Sequence, residues 1–309
     1  MRQAGREEPP RFVAPMLPIS APAPLSEGWA MEVKWDGIRA QLRFDGGTVC
    51  IRSRTGRDCT AQFPEVVAIA GQLPRDGVIL DGELVCFGAD GKSDFPALRT
   101  RLVQPEGQAP APEQHRSATL VVFDLLHCAG HAIRELPYAR RRELLAELAL
   151  DGPTWQTPRH FVGEGEALLA ATAEQGLEGV VAKRLDARYA EGRRSGAWVK
   201  QKHRRRERMI VTGWRARGDQ LPEFLLARHG ADGGLRPAGS ASLGLDPTRR
   251  ALLLAALEQH ELGPRRRGGR VRWAAPVIEV IVDLHGPPDG PARDAILREI
   301  SLPEHHGVN

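Results

Sequence analysis

Short strand-like stretches cut off by glycine turns set the narrowest limit on what this chain folds into. They cover residues 31–35, 39–44, 48–53, 77–87 and 119–126, each of strand length. Apolar residues spaced by three and four, the mark of an amphipathic helix, are clearest at 63–73, 138–150 and 164–174. Strands in runs with scattered helices, lacking regular alternation, predict an α+β fold. Ahead of them, Pro9, Pro10, Pro15, Pro18, Pro22 and Pro24 predict an extended lead-in over 1–27. Residues 106–113, flanked or punctuated by Pro105, Pro110 and Pro112, read as an exposed loop. The charge run KHRRRER at 202–208 separates two strand-like segments and reads as a hinge between domains at 28–203 and 204–309. Beyond it, strand-like 209–214, 222–228 and 276–284 with one helix at 247–260 fit a small barrel of the oligonucleotide-binding type.

At 309 residues the chain is long enough for two cores, and 41% hydrophobic with 27% charged residues excludes a disordered or fibrous protein. Cys50, Cys59, Cys86 and Cys128 form no CxxC pair and no cluster at zinc spacing, which predicts reduced thiols in a cytoplasmic protein. No apolar run reaches the roughly 18 residues of a membrane span. Glu7 and Glu8 stand where a secretory signal needs a hydrophobic stretch, so no membrane partner is expected. The net charge of +4 is uneven: residues 1–202 hold 26 basic and 26 acidic side chains, residues 203–309 hold 17 and 13. That distribution suits a terminal module facing a polyanion, or a solvated basic face. Arginine outnumbers lysine 38 to five. In that background Lys34, Lys92, Lys183, Lys200 and Lys202 are candidates for work that arginine cannot do, above all losing a proton to become a nucleophile.

Six strings carry the chemistry. Glu32-Val33-Lys34-Trp35-Asp36-Gly37-Ile38-Arg39 ends a strand on a lysine and a turn, which fits a lysine facing a pocket. Ser53-Arg54-Thr55-Gly56-Arg57-Asp58 offers arginines on a turn, suited to phosphate or ribose and equally to a solvated hairpin. Leu80-Asp81-Gly82-Glu83-Leu84-Val85 sets carboxylates in an apolar strand, so Glu83 needs a cation, as an ion-pair partner or a metal. Val121-Val122-Phe123-Asp124-Leu125-Leu126 places one aromatic residue in a chain only 5% aromatic, for the core or for a ligand. In Glu178-Gly179-Val180-Val181-Ala182-Lys183 acid and base lie five apart and face opposite sides of a regular strand. Trp198-Val199-Lys200-Gln201-Lys202 puts two lysines on one face, which calls for an anion between them or open water.

In this order the six strings resemble the motifs of the covalent nucleotidyltransferase superfamily, most closely ATP-dependent DNA ligases of the bacterial end-joining type. The resemblance covers about residues 15–202 by motif and the remainder more loosely. It implies a nucleotidyltransferase (adenylation) domain of antiparallel sheets flanked by helices, followed by an OB-fold β-barrel. Lys34 would be the nucleophile that takes AMP from ATP. Arg39 and Arg54 would contact ribose and phosphates. Glu83 and Glu178 would serve a divalent metal, Mg²⁺ with Mn²⁺ as the alternative, and Glu83 the ribose as well. Phe123 would stack on adenine, and Lys183, Lys200 and Lys202 would contact phosphate, the last two chiefly the α-phosphate. Glu32, by its carboxylate or its carbonyl, would accept from the adenine N6 amino group and favour ATP over GTP.

A lysine attacks phosphorus as the neutral amine, whereas a free lysine side chain titrates at about 10.4. Neighbouring cations and metal are expected to favour the neutral form and to stabilise charge growing on the phosphoryl oxygens. The implied reaction forms lysyl-AMP, passes AMP to a 5′-phosphate, and joins the strand when the adjacent 3′-hydroxyl displaces AMP. The implied partners are nicked or broken duplex DNA and an end-bridging repair protein, around a monomer in the bacterial cytoplasm. Arg204, Arg205, Arg206, Arg215, Arg217, Arg265, Arg266, Arg267, Arg270 and Arg272 are candidates for DNA backbone contacts. If about six neutralise phosphates, affinity falls with a log–log salt slope of about −5.

Two features depart from the resemblance. Relatives usually end the barrel on an Arg-x-Asp-Lys motif that orients the leaving pyrophosphate, whereas here the sequence reads Ala295-Ile296-Leu297-Arg298-Glu299-Ile300-Ser301-Leu302. Two readings stay open, Arg298 as a stand-in or a chain truncated relative to its kin, and slow self-adenylation is expected. Only 33 residues precede Lys34, so DNA recognition is expected from the two domains or from a partner. The competing readings are an RNA ligase and a DNA-end-binding accessory that keeps the fold without turnover.

Overall fold

The computed structural model describes residues 7–75, 77–102, 116–217, 220–230, 232–263, 271–285 and 290–302 of the chain. Contacts divide it into two units, Met1–Lys202 and His203–Asn309. In chain order the strands of the first unit are β1 (Leu17–Ser20), β2 (Trp29–Val33), β3 (Ile38–Asp45), β4 (Thr48–Ser53), β5 (Val78–Cys86) and β6 (Ala118–Cys128). They continue with β7 (His131–Ala132), β8 (Asp151–Gly152), β9 (Trp155–Gln156), β10 (Phe161–Val162), β11 (Gly179–Arg184) and β12 (Arg194–Lys202). Helices α1 (Pro64–Val67), α2 (Phe95–Leu102), α3 (Tyr138–Glu147) and α4 (Gly165–Glu174) lie in the connections.

The strands form two sheets, one in the order β1-β12-β11-β2-β10, the other β4-β3-β5-β6-β9-β8 with β7 beside β6. β2 and β3 are neighbours in the chain but belong to different sheets, so residues 34–37 cross from one to the other. At that crossing a Cβ on Gly37 would fall 2.2 Å from the Leu84 carbonyl oxygen of β5, which leaves room for glycine alone. One face of the second sheet is sealed by Ala40, Leu42, Leu80, Leu84, Leu120 and Val122. Its other face presents Arg39, Asp81 and Glu83, which alternate with those core residues. Val13, Met16, Phe123, Tyr189 and Trp198 form a smaller cluster shared by both sheets.

The proline-rich start is more than a lead-in. Val13 and Met16 are buried, and the Gln41 amide bonds both the N–H and the carbonyl of Val13, at 2.8 and 3.0 Å. β1, which contains Pro18, pairs in parallel with β12 at the sheet edge, where proline is tolerated. The helical stretch at 63–73 is a short α1 followed by a 3₁₀ turn, while α3 and α4 lie where the periodicity puts them. The buried face of α3 is mostly polar, with Tyr138, Arg141, Arg142 and Leu145. It is stable there because Arg141 forks onto Asp124 through two 2.8 Å bonds, both side chains wholly buried.

In the second unit β13 (Arg205–Arg217), β14 (Gln220–His229), β15 (Leu235–Leu243), β16 (Arg272–His285) and β17 (Ala292–Ser301) close into a barrel, with α5 (Pro247–Gln259) between β15 and β16. The order is β13-β14-β15-β17-β16, antiparallel except for β15 beside β17. Met209, Val211, Phe224, Leu226, Val280, Val282 and Leu297 fill it. Asp246 caps α5 by accepting from the Arg249 N–H at 2.8 Å, with Pro247 in the first turn.

The charge run at 202–208 spans the division between the two units, but most of it is strand. β12 ends at Lys202 and β13 starts at Arg205, leaving His203 and Arg204 between them. Arg205 and Glu207 share the parity of buried Met209 and Val211, and Glu207 is paired with both Arg205 and Arg228. Mutual pairing lets charged residues extend an inward-facing strand pattern. Residues 106–113, expected as a loop, lie outside the described residues. Among the described residues no helix is long and apolar enough to cross a membrane.

Candidate active site

Strand register places most of the predicted lysines on one surface. Glu32 of β2 lies opposite Val181 of β11, which lies opposite Lys200 of β12. Lys183 is opposite Trp198, and Gly179 opposite Lys202. Because facing residues of paired strands point the same way, Glu32, Lys183, Trp198, Lys200 and Lys202 share one face, and Lys34, two residues past Glu32, continues it.

Glu178 is the pivot. Its carboxylate bonds Lys34 and lies 2.8 Å from Lys202 Nζ, with 4% of its side chain exposed. Burial pushes its pKa up, but the two lysines more than offset this and hold it below the usual carboxylate range. Glu178 and Lys183 were expected on opposite sides of a regular strand; instead both reach the same face. The strand is irregular at Gly179, where φ is 149° and a Cβ would fall 2.1 Å from the Gln201 carbonyl oxygen. The Lys200 ammonium has no hydrogen bond or ion pair among the described residues. Burial and the nearby Lys34, Lys202 and Arg194 lower its pKa.

The second sheet contributes the opposing wall. Asp81, wholly buried, accepts from Nε and Nη2 of Arg39 at 2.6 Å each and from the Tyr189 hydroxyl at 2.7 Å. The buried carboxylate that required a cation is thus Asp81. Glu83, two residues on, makes no hydrogen bond or ion pair among the described residues. Its burial raises its pKa to about 7, against the opposing pull of Arg39 and Lys34. Phe123 occupies a register irregularity: Gly82 faces Val122 and Asp81 faces Asp124, so Phe123 is the extra residue of a bulge that turns it out of the ladder.

Lys183 lies at the Phe123 end of the cluster, paired with Glu32, whereas Lys34 and Lys202 pair with Glu178. It is 2% exposed, 2.7 Å from Glu32 Oε2, and its ammonium lies 4.1 Å from the Phe123 ring centroid and 4.5 Å from that of Trp198. Burial lowers its pKa, opposed by Glu32. The other Glu32 oxygen accepts from the Tyr138 hydroxyl, so both oxygens of the predicted base-reading carboxylate have partners. Arg39 also lies over Phe123, 4.5 Å from its centroid. Asp81, Tyr138, Tyr189 and Trp198 were not singled out from sequence.

Arg54 is exposed on the turn after β4, and among the described residues no ion pair joins it to the cluster. The candidate metal residues suit a hard divalent cation: Glu83 is an unpaired carboxylate beside Glu178, with no third acidic or histidine ligand clustered there among the described residues. Mg²⁺ commonly uses one or two carboxylates and completes its shell with phosphate oxygens and water. Of the ten arginines proposed for DNA contact, Arg265, Arg266, Arg267 and Arg270 and the side chain of Arg217 lie outside the described residues. Arg205, Arg206, Arg215 and Arg272 each hold a carboxylate, of Glu207, Asp283, Glu223 and both Glu258 and Glu261 respectively. Arg204 donates to the Asp294 carbonyl at 2.7 Å.

The family model described as the ATP dependent DNA ligase domain matches residues 19–202. Over 221 residues the chain is 38% identical to the multifunctional non-homologous end joining DNA repair protein LigD of Mycobacterium tuberculosis, covering 70% of this chain and 27% of that protein. The chain therefore spans about a quarter of the length of the LigD proteins it matches. DNA ligase C2 of Mycolicibacterium smegmatis is 33% identical over 294 residues, 85% of this chain and 80% of that protein. Among solved structures, a mycobacterial DNA ligase D complexed with ATP superposes with a TM-score of 0.56 at 30% identity, covering 95% of this chain and 96% of that one.

Proposed function

We propose, the chain being a member of the ATP-dependent DNA ligase domain family, that it joins 5′-phosphate and 3′-hydroxyl ends at nicks in duplex DNA through a lysyl-AMP intermediate on Lys34. The observation that carries this is the cluster in which Lys34, Lys200 and Lys202 surround one carboxylate, Glu178, with Lys200 left unpaired among the described residues. A surplus of ammonium groups at one end and the Phe123 ring at the other suit a triphosphate carrying a base.

Lys34, oriented by Glu178, gives up its ammonium proton to solvent and attacks the α-phosphorus as the neutral amine, and pyrophosphate leaves. Lys200 and Lys202 meet the phosphoryl oxygens, where charge grows during transfer. Arg39, fixed by Asp81, and Arg54 serve ribose and phosphates. Glu32 and Lys183 lie on the base side, and Phe123 is the stacking surface. Glu83 and Glu178 would hold a divalent cation such as Mg²⁺, which would supply neutralisation of phosphate charge. AMP then passes to a 5′-phosphate, and the adjacent 3′-hydroxyl displaces it. We read the second unit as an OB-type barrel, from its five strands, their order and the single helix between the third and fourth.

Similarity to LigD and DNA ligase C2 supports a place in bacterial end joining, with broken duplex ends as substrate and an end-bridging protein as partner. One observation favours the accessory reading. Arg298, the expected stand-in for the missing basic motif, is bonded to Asp283 at 2.7 Å, and Asp283 also holds Arg206. Sealing of nicks with DNA or RNA strands, under ATP or GTP, tests the reading. It predicts joined DNA with ATP alone; joining confined to RNA, or supported equally by GTP, would overturn it.

A further inference from the structure

The chain has two tyrosines against eight phenylalanines, and each tyrosine hydroxyl ends on a carboxylate of the site. Tyr138 donates to Glu32 Oε1, whose other oxygen lies 2.7 Å from Lys183 Nζ. Tyr189 donates to Asp81 Oδ2 at 2.7 Å, beside the Arg39 fork. Lys183 and Arg39 in turn lie 4.1 and 4.5 Å from the centroid of the same Phe123 ring. Two chains of tyrosine, carboxylate and cation therefore converge on one aromatic surface. Phenylalanine would fill either position equally well, so what tyrosine adds is the hydrogen bond.

The two chains differ at the cation. Arg39 is held by two short bonds to a wholly buried carboxylate. Lys183 is buried on a flexible stem and, though ion-paired, has no aligned hydrogen bond among the described residues. Its direction depends on where Glu32 Oε2 points, and that depends on the grip of Tyr138 on Oε1. Burial and Glu32 push the Tyr138 phenol up, keeping it a neutral donor.

We infer that Tyr138 is a positioning residue for base selection: by holding Glu32 Oε1 it fixes Oε2 and the Lys183 ammonium as an adjacent acceptor and donor beside Phe123. This rests on the reading of the site as an ATP pocket. An acceptor beside a donor matches the amino group and ring nitrogen of adenine's pairing edge. Guanine presents the reverse pair, so a fixed edge rejects it while a turning carboxylate does not. Tyr189, acting through Asp81 on Arg39, serves ribose and phosphate, which both nucleotides share.

The test is covalent self-labelling with α-labelled ATP and α-labelled GTP in wild type, Tyr138→Phe and Tyr189→Phe. Loss of one positioning hydrogen bond is expected to cut the ATP-over-GTP ratio of kcat/KM by about tenfold in Tyr138→Phe, chiefly through KM for ATP. Tyr189→Phe is expected to slow both nucleotides alike and keep the ratio. A Tyr138→Phe protein that labels with the wild-type ratio overturns the inference. Wild-type protein that labels with neither nucleotide overturns the underlying ATP-pocket reading too. Should Tyr138→Phe fail to fold, 3-fluorotyrosine in the wild-type sequence gives two ¹⁹F resonances, assigned through Tyr189→Phe. ATP is expected to shift the Tyr138 resonance more than GTP at equal occupancy, and equal shifts refute the inference.

Discussion

Asp81 and Glu83 are two residues apart on one strand and face the same site, yet their neutral amides should behave in opposite ways. Asp81 is wholly buried and accepts three bonds, two from Arg39 and one from Tyr189. In Asp81→Asn the side chain keeps its shape but leaves Arg39, only 14% exposed, without its counter-charge. Breaking a buried pair from one side costs about 3–5 kcal/mol. The residual exposure of Arg39 and the bonds an amide still makes place this case near 3 kcal/mol. For the 202-residue first unit, at roughly 2–4 °C per kcal/mol, the transition should fall by about 6–12 °C. Glu83 has no hydrogen bond or ion pair to lose among the described residues, so Glu83→Gln should melt within about 2 °C of wild type. Differential scanning calorimetry of both variants without nucleotide or metal is the assay. Equal losses, or a larger one in Glu83→Gln, would refute the assignment of Asp81 as the structural anchor and Glu83 as the free carboxylate.

Three further outcomes follow from the same geometry. Burial pushes Glu65 up, but the Arg101 fork, at 2.5 and 2.9 Å, and the Ala118 N–H hold its pKa below the ordinary 4.5. Its stabilisation is therefore complete above about pH 4.5 and fades as pH falls through the lower folded-state value; Glu65→Gln should flatten that limb of an acid-unfolding curve. Lys200→Ala removes an ammonium that makes no ion pair among the described residues, so its KM for ATP should rise about tenfold or more, with thermal stability unchanged or slightly improved. In DNA binding by fluorescence anisotropy across salt concentrations, Arg206→Ala should change the log–log slope by well under the roughly 0.9 of a full phosphate contact, because Asp283 already holds that guanidinium. A change near 0.9 would mean that the pair opens onto the backbone.

Much of the fold is readable where one strand or helix carries its own signal. β4 coincides with residues 48–53, and α5 with the helical pattern at 247–260 to within a residue. β15 and β17 escape because their inward positions are small or sparse: Ala238 and Ala241 in one, Ala295 and Leu297 in the other, with Pro237 and Gly239 breaking the alternation of β15. The run at 202–208 does mark the division between the units, but its strand character is hidden because its inward charges are matched by partners far away in sequence, as Arg228 is for Glu207. At the site, the spacing of Lys200 and Lys202 correctly predicts a shared face; of the anion or open water it leaves open, Lys202 meets an anion, Glu178, at 2.8 Å. The partnerships of Asp81 with Tyr189 and of Glu32 with Tyr138 join residues 108 and 106 apart. No local pattern encodes them; the scarcity of tyrosine was the available signal, as the scarcity of lysine was for the cluster around Glu178.

The most direct measurement is covalent labelling. Protein stripped of bound AMP with pyrophosphate is incubated with α-labelled ATP and Mg²⁺ and run on a denaturing gel beside Lys34→Ala and Lys34→Arg. The ligase reading predicts an acid-labile label on wild type and none on either variant. Label retained in Lys34→Ala would place the nucleophile elsewhere, and no label on wild type would contradict a lysyl-AMP enzyme.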